Sequence, residues 1–406
     1  MESETFANVE AFIVKPCHQI NFKVEVDGYI SFVVTDGRAE INGFALKCGK
    51  IYKVCGPKYF SVETMSGFNI IVKNKLKCTY EKYYLKEYKI VKSYSATFFS
   101  LSHTARISSN EGPCVLVFGP QNTDKTKFCQ SVLNTLIQHE QCPTFIDLDV
   151  SDNSLGVSGT VSYRNLTSGK PLGFLFNSDL QKSETFYFGS KDKLEFDKHF
   201  VEILNYLESY HRRNQFENSE IMAGILVIKA RCDSSNQDEI KRILDIIMRF
   251  EAKYLMYTGD DSTFKEIKTY SKCESLVNAF KKLPTLTPKD SHSKKTLKSG
   301  QLNLYEHKHM LKDFTYCRKI VYDKIEVYRR DGVKEFVKVS LTKKIENKFM
   351  CGIKDDEVVS NNGKPIHVLM TVWIKHVDED KKTIVLQACK HQPVLSNRFF
   401  IVDYVS

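Results

Sequence analysis

A single tryptophan, Trp373, stands among 406 residues, and no Cys-x-x-Cys pair occurs among the twelve cysteines. Cysteines scattered singly offer neither a zinc ribbon nor a disulfide framework, so reduced thiols in a cytosolic or nuclear protein are expected. His307-x-His309 has no companion at metal-ligand spacing and reads as surface histidines rather than a zinc site. No apolar run reaches the length of a membrane span, and Met1-Glu2-Ser3-Glu4 lacks the basic-then-apolar pattern of a secretory signal; no membrane attachment is expected.

What the chain does have is a globular composition, 42% hydrophobic and 12% aromatic, with length for two or three domains. Lys and Arg outnumber Asp and Glu, 59 to 49, for a net charge of +10. That excess is compatible with a nucleic-acid partner, since neutralising phosphates releases counterions, but it is modest for so large a surface.

The most informative stretch is Val115-Leu116-Val117-Phe118-Gly119-Pro120-Gln121-Asn122-Thr123-Asp124-Lys125-Thr126. Four apolar residues read as a buried strand, and Phe128, Val132, Leu133, Leu136 and Ile137 follow at helical spacing. Strand, loop and helix are the context of a phosphate-binding loop, Gly-x-x-x-x-Gly-Lys-Ser/Thr, whose backbone wraps phosphate while its Lys reaches it and its hydroxyl holds Mg²⁺. Gly119, Lys125 and Thr126 are in place, but Asp124 replaces the second glycine. An Asp there adds a side chain to a tight turn and a negative charge beside phosphate. Alone the string is either a phosphate loop or a coincidence; its flanking strand and helix favour the loop. Thr144 to Asp149 reads as a strand ending in acid, and Asp149 is the candidate for supporting Mg²⁺ or a nucleophilic hydroxyl, against the bland alternative of a solvated loop acid.

The fold class expected is α/β, a central phosphate-loop NTPase domain with a parallel sheet and helices (98–304), flanked by an N-terminal β-sandwich-like domain (1–97) and a C-terminal all-β domain (305–406). In the first, Ile20 to Val26 alternates, Asp27-Gly28 signals a hairpin into Tyr29 to Val34, and Asp36-Gly37 signals a further turn. Ser93 to Asn110 is Ser/Thr-rich and reads as a link. The centre alternates strands and helical stripes (Phe196, Phe200, Ile203, Leu204, Leu207; Ile240, Ile243, Leu244, Ile247). From Lys281 to Gly300 the chain is polar and lysine-rich, fitting a basic flap or a solvated linker, and β patterning resumes after Tyr305.

Over nearly its whole length the chain resembles the eukaryotic polyribonucleotide 5′-hydroxyl kinases that double as a subunit of the pre-mRNA cleavage and polyadenylation machinery. Gly37-Arg38-Ala39-Glu40-Ile41-Asn42-Gly43 is similar to the family's Gly-x-Ala-Glu-Ile-Phe-Gly, and Gly112-Pro113 through Thr126 to its phosphate-loop segment. Asp147-Leu148-Asp149-Val150, Gly159-Thr160, Phe188-Gly189-Ser190 and Asn397-Arg398-Phe399-Phe400 match further family segments in order. The resemblance implies phosphoryl transfer from ATP to an RNA 5′-hydroxyl. It implies catalytic roles for Lys125 and Asp149, nucleotide contacts from Gln19, Lys58, Gly119, Asp124, Lys125, Thr126 and Lys127, and Mg²⁺ held by Thr126 and Asp149.

Departures fall on the catalytic parts. Asp124 replaces the loop glycine, Lys127 a hydroxyl residue, Ser151-Asp152 a Gly-Gln, and Gln19 stands where the family tends to carry Glu. The family's Cys-Gly-Trp clasp for the RNA end falls near Ala230-Arg231-Cys232, which has no tryptophan, and Lys294, Lys295 and Lys298 stand for lid arginines, offering charge without the planar fork. The favoured expectation is a nuclear, ATP-binding scaffold of the mRNA 3′-end cleavage complex, contacting a scaffold subunit and RNA, with weakened or lost kinase activity. The alternative is an active RNA 5′-kinase in RNA repair or tRNA splicing. A phosphate-loop protein with an unrelated substrate would leave the terminal matches unexplained.

Overall fold

The computed structural model describes residues 8–24, 28–55, 58–75, 78–84, 88–121, 123–166, 183–189, 197–232, 237–262, 264–265, 280–283, 316–331, 335–353, 365–388 and 396–402. Its first third holds β1 (Asn8–Val14), β2 (His18–Val24), β3 (Tyr29–Gly37), β4 (Glu40–Ile41), β5 (Phe44–Ala45), β6 (Ile51–Cys55), β7 (Lys58–Thr64), β8 (Phe68–Lys75) and β9 (Cys78–Tyr84). These form two antiparallel sheets, β1-β8-β3-β6 and β5-β4-β7-β2-β9. Alternation drives the packing: Ile20, Phe22 and Val24 of one sheet meet Ile30, Phe32 and Val34 of the other, all fully buried. Phe22 stacks on Phe32 with ring centroids 6.2 Å apart. The hairpin expected at Asp27-Gly28 is therefore corrected. β2 and β3 lie in different sheets, because facing rather than adjoining strands is what buries both apolar faces.

The centre comprises α1 (Tyr88–Ser108), β10 (Cys114–Gly119), α2 (Lys125–Gln138), β11 (Thr144–Asp147), β12 (Thr160–Asn165), β13 (Glu184–Tyr187), α3 (Asp197–Glu217), α4 (Ser219–Ala223), β14 (Leu226–Arg231), α5 (Gln237–Arg249), β15 (Tyr254–Tyr257) and β16 (Phe280–Lys282). The last third adds β17 (Tyr316–Val321), β18 (Glu326–Asp331), β19 (Glu335–Lys338), β20 (Phe349–Ile353), β21 (His367–Val368), β22 (Met370–Asp378), β23 (Thr383–Ala388) and β24 (Arg398–Ile401). The central sheet runs β16-β15-β10-β14-β11-β12-β13-β21. The five strands from β16 to β11 are parallel, as expected, while β12, β13 and β21 are antiparallel. Helices cover both faces: α1 and α2 pack on Val115, Val117, Phe145 and Val227, while α3 and α5 pack on Leu116, Phe118, Ile146 and Ile228. Phe196 lies outside the described residues.

The link expected over Ser93 to Asn110 is instead most of helix α1. Val91, Ser95, Phe98, Ser102 and Ala105 form a buried stripe at spacings of three and four, which the serines disguise. Hydroxyls of Ser95, Thr97, Thr104 and Ser108 donate to carbonyls four residues back, which lets Ser and Thr sit inside a helix. The 97/98 division thus falls within one helix. The polar stretch expected from Lys281 begins as β16 with Leu283 buried, and 284–300, with its lysines, lies outside the described residues.

The last third folds as a seven-stranded sheet, β17-β23-β22-β20-β24-β18-β19, except that β21 crosses to the edge of the central sheet. The division at 304/305 is therefore not a division of sheets. No described helix is long and apolar enough to cross a membrane.

Candidate nucleotide-binding site

β10 delivers the chain to the loop at its carboxyl end, and α2 leaves it with its positive end turned back, the arrangement that receives phosphate. Gly119 is required by contact: a Cβ there would lie 1.9 Å from the Thr258 carbonyl oxygen. Thr258 in turn pins the loop, its hydroxyl 2.7 Å from that of Thr123, which donates to the Pro120 carbonyl at 2.9 Å. Asp124 caps the start of α2 with φ −74° and ψ 21°, and its side chain makes no capping bond. Asp124 does not strain the turn itself, because right-handed backbone accepts a Cβ. Its charge beside a phosphate remains.

Lys125 is 2% exposed. Its Nζ donates to the Pro120 carbonyl at 2.5 Å and lies 3.3 Å from Asp149 Oδ2. Asp149, two residues beyond β11, also accepts from the Ser151 hydroxyl at 2.6 Å. Burial would raise its pKa, but Lys125, Lys229 and the Ser151 bond more than offset that and hold the carboxyl ionised below its ordinary range. The structure thus brings Gly119, Asp124, Lys125, Thr126 and Asp149 to one loop end.

Gln19 and Lys58 sit on neighbouring strands of the sandwich, β2 and β7. Gln19 is buried directly across from Glu63, which takes Lys127 of α2 at 2.6 Å. A carboxylate is thus offered by the cross-strand neighbour of position 19. The Lys58 side chain is outside the described residues. Between β4 and β5 the turn Asn42-Gly43 abuts α2: Asn42 donates to Gln130 at 2.8 Å, Asn134 donates to the Asn42 carbonyl at 2.9 Å, and a Cβ on Gly43 would lie 2.4 Å from the Ser131 carbonyl oxygen. The sandwich is seated on the phosphate-loop helix by its Ala39-Glu40-Ile41-Asn42-Gly43 segment.

Sequence reasoning missed Lys229. This lysine lies wholly buried on β14, between β10 and β11, with Nζ 3.0 Å from Asp147 Oδ2 and 3.0 Å from the Thr126 hydroxyl. The Thr126 hydroxyl donates to Asp152 at 2.6 Å. A charged residue amid Leu226-Val227-Ile228 and Ala230 was the available signal, since lysine is almost never buried unpaired. Where the clasp falls, Ala230 and Cys232 are buried in the α3–α5 core. Trp373 is far along the chain in the C-terminal sheet, packed edge-on to Phe349 at 4.7 Å.

A family model described as mRNA cleavage and polyadenylation factor CLP1 P-loop matches residues 119–308, and one described as N-terminal beta-sandwich domain of polyadenylation factor matches residues 13–108. The polyribonucleotide 5′-hydroxyl-kinase Clp1 of Danio rerio is 26% identical over 172 residues, 42% of this chain and 38% of that protein. The protein CLP1 homolog of Culex quinquefasciatus is 21% identical over 250 residues, 61% of this chain and 58% of that protein. These matches span 38% and 58% of the relatives' own length, under two thirds in each case. In fold, the chain is similar to Clp1p in its wild-type complex with Pcf11p, with a TM-score of 0.77 at 15% identity over 98% of both chains. It is equally similar, with a TM-score of 0.78 at 14% identity, to a structure on the extended Pcf11p–Clp1p interface and ATP loss in a point mutant. The chain belongs to the Clp1 family.

Proposed function

We propose that the protein is a nuclear, nucleotide-binding scaffold of the mRNA 3′-end cleavage and polyadenylation machinery, holding ATP in its phosphate loop without transferring phosphate to RNA. The observation that carries this reading is the contrast between the two ends of the reaction. The loop that would hold phosphate is built: Gly119 fits only as glycine, and Lys125 is buried beside an ionised Asp149. The place where an RNA end would be clasped offers Ala230, Arg231 and Cys232, two of them core residues, and the sole tryptophan is committed to another domain. Phosphoryl transfer depends on positioning both partners, so a site that holds one of them is a binding site.

ATP that binds only the folded state would stabilise it by about 2.7 kcal/mol at a hundredfold excess over its dissociation constant. The likeness to Clp1p in its complex with Pcf11p supports a partner of the Pcf11p kind. The alternative, an active RNA 5′-kinase, draws its support from the retained Lys125–Asp149 pair. ATP binding and phosphate transfer to a 5′-hydroxyl RNA oligonucleotide, measured separately on the purified protein, distinguish the two. Binding without labelled RNA is expected, with binding lost in Lys125→Ala. Phosphorylated RNA that disappears in Lys125→Ala would refute the scaffold reading.

A further inference from the structure

We infer that Lys229 is a built-in cation: its ammonium occupies the place a divalent metal takes beside a phosphate loop, so nucleotide binds here without Mg²⁺. The inference rests on the nucleotide-binding reading and concerns what that site requires. On the parallel sheet Lys229 is in register with Val117 of β10 and Asp147 of β11, the strands that carry the loop and the acids. Its Nζ lies 3.0 Å from Thr126 Oγ1, 3.0 Å from Asp147 Oδ2, 3.4 Å from Asp152 Oδ2 and 2.8 Å from Ser154 Oγ, and it also donates to the Asp152 carbonyl oxygen. Two hydroxyls, two carboxylates and a carbonyl are the hard oxygen donors that Mg²⁺ would want, in octahedral array at about 2.0–2.1 Å. Here they converge on an ammonium instead.

The two cations exclude each other. The lysine is 0% exposed and anchored mid-strand, so it cannot swing aside for a hydrated ion. The Thr126 hydroxyl proton is engaged by Asp152 and its oxygen by Lys229. Asp149, the other expected metal ligand, is turned to Lys125 and Ser151. Among the described residues no group of three or more His, Cys, Asp or Glu side chains is arranged to hold a metal ion. The carboxylates of Asp147 and Asp152, 3.0 and 3.4 Å from Nζ, are the counter-charges a buried ammonium needs. The residues present therefore do not fit Mg²⁺, and they do supply a fixed positive charge where phosphate oxygens would need one.

The test is ATP titration of the full chain by calorimetry, once in EDTA and once in excess MgCl2. The dissociation constants are expected to agree within about fivefold, and a larger weakening in EDTA overturns the inference. In a second arm Mn²⁺ alone is titrated and followed by its electron paramagnetic resonance signal. Wild type is expected to hold no Mn²⁺ that Asp152→Asn removes, whereas Lys229→Ala gains such an ion. Mn²⁺ bound by wild type and lost in Asp152→Asn overturns the inference. If ATP binds in neither buffer, the nucleotide-binding reading falls, and the Mn²⁺ arm still decides the place of Lys229. Should Lys229→Ala fail to fold, the wild-type and Asp152→Asn titrations decide it.

Discussion

Replacing Lys229 by Met isolates the energetics of the buried charge cluster. The substitution keeps an unbranched apolar stem and removes an ammonium bonded to Thr126, Ser154, Asp147 and Asp152. Asp147, 0% exposed, is left with the Ser154 backbone N–H at 2.6 Å and the Asp149 N–H at 3.1 Å, but no counter-charge on Lys229. Removing one partner of a buried ion pair costs about 3–5 kcal/mol, a large share of a typical domain's stability. The loss has a definite pH dependence. Burial already pushes Asp147 up to about 6, with Lys229 pulling it down, so the variant's carboxyl moves higher still. An acid whose folded pKa exceeds its unfolded value takes up a proton on folding, so its stability contribution declines as pH rises between the two. The deficit is therefore largest at pH 8 and shrinks toward pH 5. Native-state hydrogen exchange of β10, β11 and β14 amides reads it directly: at least about a hundredfold faster exchange corresponds to some 3 kcal/mol. Asp147→Asn in the same chain should restore most of the loss, a coupling of about 2 kcal/mol or more. A loss under about 1 kcal/mol, or strictly additive substitutions, would refute the reasoning.

Gly119→Ala places a Cβ 1.9 Å from the Thr258 carbonyl and is expected to lower stability by about 3 kcal/mol, measured by thermal melting; an unshifted melt would deny the close approach. His211, its pKa lowered to about 4 by burial with Arg212 assisting, stays neutral in the fold. The unfolded chain takes a proton first as pH falls below about 6.5, so roughly 3 kcal/mol should be lost between there and pH 4. Urea midpoints of His211→Asn that track wild type over this range would contradict it. Lys127→Ala strands the fully buried Glu63 and should loosen the sandwich from α2 by about 3 kcal/mol. Limited proteolysis would reveal new cleavage between residues 85 and 125, and an unchanged digest would rule the contact out as a clamp.

Much of this fold is legible where one signal dominates. The Val115 to Phe118 run and the Phe128, Val132, Leu136 stripe declare a buried strand and an amphipathic helix, and both are as expected. Helix α1 is hidden because its stripe uses serines at two inward positions, where the Ser95 hydroxyl donates to the Val91 carbonyl one turn back and the Ser102 hydroxyl donates to the Gln141 side chain across the core. The Asp27-Gly28 dipeptide signals a turn but not which sheet receives the next strand, a choice made by the distant partners β6 to β9. At the site, the loop spacing singles out Lys125 and Thr126, and the acid at the end of a strand singles out Asp149. Lys229 and Glu63 do not, because their meaning depends on strands that come together only in the sheet order β10-β14-β11 and the ladder β2-β7.

The crossing of β21 into the central sheet makes the two C-terminal thirds one mechanical unit. Tyr187 of β13 donates to the Ile401 carbonyl at 2.8 Å, and its ring lies 4.9 Å from that of Phe400, so the core beyond β13 is furnished by residues from the far end of the chain. A chain ending near residue 304 would lose its edge strand and bare the outer rim of β13, a ready template for misassociation. Ribosomal synthesis therefore has to run past Ile401 before the phosphate-loop sheet is sealed, and truncations upstream of β21 should behave as losses of the whole central domain rather than of a tail.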